Sequence, residues 1–105
     1  MDRMDRLQAM LKDYPNDSFV LFAIAMEYKN QESYEMAIEQ FNSLKNRDPE
    51  YVGLYYHLAE CLYEIENFKD ALFIYDQGIS IANKLMDQHA KAELMNAKTN
   101  LEMEM

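Results

Sequence analysis

The sequence predicts an all-α fold, six helices arranged as antiparallel helix–turn–helix units stacked into a short solenoid. Three observations predict it. The segment YEMAIEQF at Tyr34–Phe41 returns as FKDALFIY at Phe68–Tyr75, 34 residues further on. The same offset relates Ile24-Ala25 to Leu58-Ala59, Ala37 to Ala71, and Pro15 to Pro49. Repeats of this length stack on one another because a single unit cannot bury its own apolar face. Finally, half of the residues are apolar while Gly and Pro number two each, a balance that suits helices better than strands or disorder.

The elements follow in order. Residues 2–13 read as a first helix, with Met4, Leu7, Met10 and Leu11 on one packing face. Pro15 follows, and the residue before a proline is steered away from helical geometry. Asn16 or Asp17 caps a second helix over 18–30, whose stripe is Leu21, Ile24, Ala25 and Tyr28. Ser33 is the expected cap of a third helix over 34–46, packing through Ala37, Ile38, Phe41 and Leu44. Asp48-Pro49 ends it. A fourth helix over 51–65 presents Tyr55, Leu58, Ala59 and Leu62. Asn67 caps a fifth over 68–84, which packs through Ala71, Leu72, Tyr75 and Ile79. Asn83 stands where the period calls for proline, so this helix should run on. Gly78 replaces the Leu44 of the earlier unit and can admit a neighbouring helix. From 87 to 104 the stripe is Ala90, Leu94, Ala97 and Leu101, but Glu93 falls on the buried small-residue position. A capping helix is therefore expected rather than a third unit.

Composition narrows the function. The chain of 105 residues suits one domain. A net charge of −9 repels nucleic acid and anionic membrane surfaces and favours basic or neutral partners. One cysteine, Cys61, excludes an internal disulfide and suits a reducing compartment. No apolar run approaches a membrane span of ~20 residues. The start, MDRMDRLQAM, lacks the pattern of a secretory signal. A cytoplasmic protein is expected.

These residues resemble the tetratricopeptide repeat (TPR) family, in which aromatic, small and aliphatic positions hold each helix pair together. The resemblance implies a right-handed solenoid: a half-unit at 1–14, repeats at 18–51 and 52–85, and a cap at 86–105. It also implies that the first helix of each unit lines a concave groove receiving an extended peptide or a helix. Carried onto this chain, the groove is lined by Phe19, Phe22, Met26 and Lys29, then by Gly53, Tyr56, Glu60 and Tyr63, with Glu64 beside them. The residues alone leave two readings. Phe19, Phe22, Met26 and Tyr56 are surplus to the packing stripes and could form an exposed interaction patch, or the N-terminal helix could cover them as ordinary core. Between Asp48 and Phe68 stand five acids and no Lys or Arg, so an acidic edge that attracts a basic partner competes with a merely solvated face. Some TPR proteins hold a chaperone's C-terminal carboxylate in a clamp of Lys, Arg and Asn. Where that clamp belongs, this chain has Phe19, Ala23, Gly53 and His57, and Lys29 and Lys91 alone cannot rebuild it.

No phosphate loop, nucleophile elbow or paired-cysteine motif is present, and no catalytic residue or cofactor is expected. His57 and Cys61 are four apart on one helix, near Glu60 and Glu64, but two ligands at ordinary helical spacing are weak grounds for a metal. Cys61 is expected to be a small core residue and His57 a surface one. His89 and Glu93 carry less weight still. The sequence thus predicts a non-catalytic protein-interaction module. The alternative is a self-associating subunit that forms a homodimer through the exposed ends of its solenoid.

Overall fold

Between its proline-marked turns the chain winds into six helices and no strand: α1 (Arg3–Asp13), α2 (Ser18–Asn30), α3 (Tyr34–Arg47), α4 (Gly53–Glu64), α5 (Phe68–Lys84) and α6 (Gln88–Glu104). The structure, a computed structural model, describes residues 1–105. Short acceptor side chains begin four of the helices by satisfying otherwise free N–H groups. Asp2 accepts from the Asp5 N–H at 2.8 Å, and Asp17 from those of Phe19 and Val20 at 2.9 and 3.2 Å. Asn67 accepts from Asp70 at 3.3 Å and Asp87 from Ala90 at 3.0 Å. Ser33 occupies the same position before α3 but makes no side-chain cap. Its backbone angles nearly match those of Asn67, so a side chain one bond shorter falls out of reach.

α4 starts two residues later than the sequence suggests. Tyr51, Leu54 and Tyr55 donate to the carbonyls of Asp48, Tyr51 and Val52, three residues back, so the entry is a tightened turn.

Three helix ends share one device. Glu32, Glu66 and Met86 have φ of 60°, 63° and 59°. After α2, the Ser33 N–H bonds the Tyr28 carbonyl and the Glu32 N–H that of Lys29. Asn67 and Glu66 repeat this pairing on Leu62 and Tyr63, and Asp87 and Met86 on Ala82 and Asn83. This is the paired closure that usually places glycine in the left-handed position. The α5–α6 junction therefore closes like the turn inside a helical hairpin, and α5, with no proline at 83, reaches Lys84.

Consecutive helices pack as antiparallel hairpins. Ala25, Ala37, Ala59 and Ala71 are fully buried, and their short side chains let helix axes approach closely around Phe41, Leu44, Leu54 and Leu58. At Gly78 the approach is closer still, since a Cβ there would stand 2.6 Å from Tyr55 Cβ and 3.1 Å from Leu94 Cδ1. Stacking buries α2 and α4 on more than the expected stripe, adding Val20, Ala23, Leu54 and Cys61 to the core. A smaller cluster of Leu7, Val20, Ala23 and Ile24 fixes α1. Contrary to expectation, Met10 is exposed: α1 has one neighbour to pack on, and Leu7 with half-buried Met4 and Leu11 covers that contact. Turn-to-turn bonds tie successive units. Arg47 donates to the Pro15 carbonyl at 2.6 Å, Ser18 to the Asp48 carboxylate at 2.7 Å, and Tyr55 to the Pro49 carbonyl at 2.5 Å.

Candidate interaction groove

α1 packs on Val20, Ala23 and Ile24, one side of α2, and leaves Phe19 and Phe22 uncovered by it. Phe19, in the first turn of α2, is 63% exposed. Phe22 and Met26 are half-buried against the main core. The Phe22 ring lies 5.2 Å from Tyr51, 5.7 Å from His57 and 6.0 Å from Phe41, centre to centre. Gly53 keeps α4 open beside it, with Phe22 Cε1 3.8 Å from where a Cβ would stand.

Lys29 crosses from α2 to α4. Its ammonium pairs with the Glu60 carboxylate and stands 2.8 Å from His57 Nδ1. The His57 imidazole and then Lys29 hold the Glu60 carboxyl below its ordinary range, against a burial effect that would raise it. His57 is thus half-buried in a cross-helix bridge rather than a plain surface residue, because Lys29 reaches over it.

Beyond this bridge, Tyr56, Glu60, Tyr63 and Glu64 line a cavity between α4 and α6. Its other wall contains residues that the sequence reading did not select: Tyr75 from α5, and Glu93, Asn96, Asn100 and Glu104 from α6. The α6 residues recur at spacings of three and four, so one helical face was legible, but nothing in the chain said which element it would face. The tyrosines sit in an acidic field. Burial, then Glu60 and Glu93, raises the Tyr56 phenol pKa. Hydrogen bonding to Glu104 raises that of Tyr63.

The acidic stretch 48–68 is partly compensated from within. Lys29 takes Glu60, and Lys84 takes Glu50 at 3.2 Å. Lys91 donates to Asn83 at 3.1 Å, so both lysines considered for a carboxylate clamp are engaged. Cys61 is fully buried and its thiol is pushed up to about 11 by burial, which leaves no thiolate for chemistry near neutral pH. No group of three or more His, Cys, Asp or Glu side chains is gathered closely enough to hold a metal. No helix is long and apolar enough to cross a membrane.

Residues 3–78 match the family model ANAPC3, described as anaphase-promoting complex, cyclosome, subunit 3. No curated protein matches the chain. Among solved structures, a tetratricopeptide repeat domain protein from Salinibacter ruber is 35% identical, with 84% of this chain and 89% of that one covered at a TM-score of 0.80. The TPR2B domain of yeast Sti1, solved in complex with pHsp70, is 18% identical, with 97% and 82% covered at a TM-score of 0.90. The Yersinia enterocolitica type III secretion translocator chaperone SycD is 16% identical, with 96% and 70% covered at 0.86. At such low identity the last two establish likeness of fold alone.

Proposed function

The chain belongs to the ANAPC3 family of tetratricopeptide-repeat proteins, and from that membership we propose that it is a non-catalytic interaction module holding a peptide or helix of a partner protein. The partner lies along the faces of α2 and α4, over Phe19, Phe22, Met26 and Tyr56, with the acids of α4 and α6 at the far edge. The observation that carries this reading is the placement of α1. It covers the Val20, Ala23 and Ile24 side of α2 and leaves Phe19 exposed, with Phe22 and Met26 half-buried beside it, where polar side chains would dissolve better. Binding then comes from burial of those groups, while Glu64, Glu93 and Glu104 favour basic segments and quicken encounter. A partner that ends in a free carboxylate fits poorly, since Lys29 is already paired and the surroundings are acidic. Fold likeness to Sti1 and SycD, both named with a partner or as a chaperone, supports protein binding as the class of function.

Partners recovered from native-host extract on the intact chain should be lost by a Phe19→Ala/Met26→Ala variant whose thermal melt stays within a few degrees of the parent. Undiminished recovery on that folded variant overturns the reading.

A second reading is favoured by the outer face of α6, where Met95 and Met103 are 48% and 79% exposed although a terminal face is expected to be polar. A second copy stacked there would extend the solenoid into a homodimer. Sedimentation velocity that shows only monomer at high micromolar concentration removes it.

A further inference from the structure

Tyr75 sets the cavity between α4 and α6 apart from an ordinary acidic surface. Its side chain is only 5% exposed, yet it lines the cavity. The equally buried Tyr55 donates its hydroxyl to the Pro49 carbonyl. The Tyr75 hydroxyl has no hydrogen-bond partner in the protein, and it is not sealed from solvent, so it opens into the cavity it lines. Burial, then the charge of Glu60, pushes its phenol pKa well up, so the group stays neutral, with one donor and two lone pairs to offer.

The surroundings select the guest. Tyr56 presents its ring 6.5 Å from that of Tyr75, in an edge arrangement. Glu60 and Glu93 bring carboxylates to this end of the cavity, and Glu64 and Glu104 line its other end. Only Glu60 has a lysine partner; Glu93 has His89 at 3.9 Å, and Glu64 and Glu104 have no cation within ion-pair distance. A carboxylate or phosphate would meet these charges unpaired. A neutral side chain would strip water from them with nothing in return.

Building on the reading of this face as a partner-binding surface, we propose that the cavity is a socket for one lysine or arginine side chain projecting from the bound segment of the partner. The cationic head donates to the Tyr75 oxygen and to the Glu93 carboxylate, at the Tyr56 end of the cavity. The methylene stem lies on the Tyr56 ring, where both apolar contact and cation–π attraction apply. The contact is directional because the phenol oxygen is fixed at the floor.

The test is a nuclear magnetic resonance titration of the 15N-labelled full chain with blocked tripeptides carrying lysine, arginine or glutamine between two glycines. The lysine or arginine peptide should saturate shifts at the amides of Glu93, Asn96 and Asn100, in the millimolar range and more weakly as salt rises. The glutamine peptide should leave them in place. Tyr75→Phe, which keeps the ring and the fold, should weaken the cationic peptide several-fold, and Glu93→Gln likewise. Equal shifts with glutamine, no shifts with either cation, indifference to Tyr75→Phe, or the same saturation by magnesium chloride each overturns the socket. Phe19 and Met26 lie outside the cavity, so the two ideas fail separately. Partner capture that depends on Phe19 and Met26 with no peptide binding keeps the groove and removes the socket. Peptide binding with capture indifferent to Phe19 and Met26 keeps the socket and removes the groove.

Discussion

Two kinds of position in this chain respond to glycine in opposite directions. Glu66 holds a left-handed conformation at φ 63° because the paired closure of α4 requires it. A side chain there costs about 1–2 kcal/mol, and glycine removes that cost while giving back roughly 0.4–1 kcal/mol through a freer unfolded chain. Glu66→Gly should therefore raise the urea midpoint slightly, by about 0.5 kcal/mol in stability. Gly78 is the reverse case. Its missing Cβ makes room for Tyr55 Cβ, an atom too close to the backbone to swing aside. Gly78→Ala should destabilise by up to about 2 kcal/mol, since overpacking of about 1–3 kcal/mol is offset only by the better helix propensity of alanine, about 1 kcal/mol. Equal midpoints for both variants would contradict both accounts. Gly78 was legible as an oddity of the period. That it receives α6 as well as α4 was not, because a sequence lists vacancies without naming the occupant.

At the scale of helices, α6 is more than a lid. Leu94 and Leu101 are nearly fully buried, and Leu94 reaches the notch at Gly78. Losing each leucine from the core costs about 1.5–3 kcal/mol of burial, a large share of a domain stability of about 5–15 kcal/mol. A chain cut after Met86 should melt at markedly lower urea, with its transition broadened, when followed by circular dichroism. A sharp transition at the parental midpoint would mean that α1–α5 are self-sufficient. Helix ends were the most legible elements, because prolines at 15 and 49 and acceptors at 17 and 67 act locally. Ser33 shows the limit of that logic, as its type is right for a cap and its reach is wrong. The face that α6 turns toward α4 depends on packing between segments distant in sequence, so Glu93, Asn96, Asn100 and Glu104 escaped selection.

For the whole molecule, the charge of −9 coexists with a few internal pairs, and the Lys29–Glu60 bridge is the one that ties the two full hairpins together inside the candidate groove. The folded Glu60 carboxyl lies below the ordinary glutamate value of about 4.5, so the stability it contributes is present above that value. It is lost as the pH falls through the lower folded value, when the carboxylate takes up a proton. The urea midpoint of the parent should thus drop below about pH 4.5 more steeply than that of Glu60→Gln, and the two should converge in strong acid. Parallel curves would show that the bridge contributes nothing. The fold itself was readable because the buried alanines at 25, 37, 59 and 71 carry the period. The groove was only half readable, since Lys29 and His57 look independent until two helices bring them together.

Because each helix packs chiefly on its neighbours along the chain, most native contacts close only short loops. Such topologies reach the native state in microseconds to milliseconds. They also come apart from the ends inward rather than all at once. α1, held to α2 by a four-residue cluster, is the loosest boundary, so its amides should exchange with deuterium first while those around Phe41 and Leu58 persist longest.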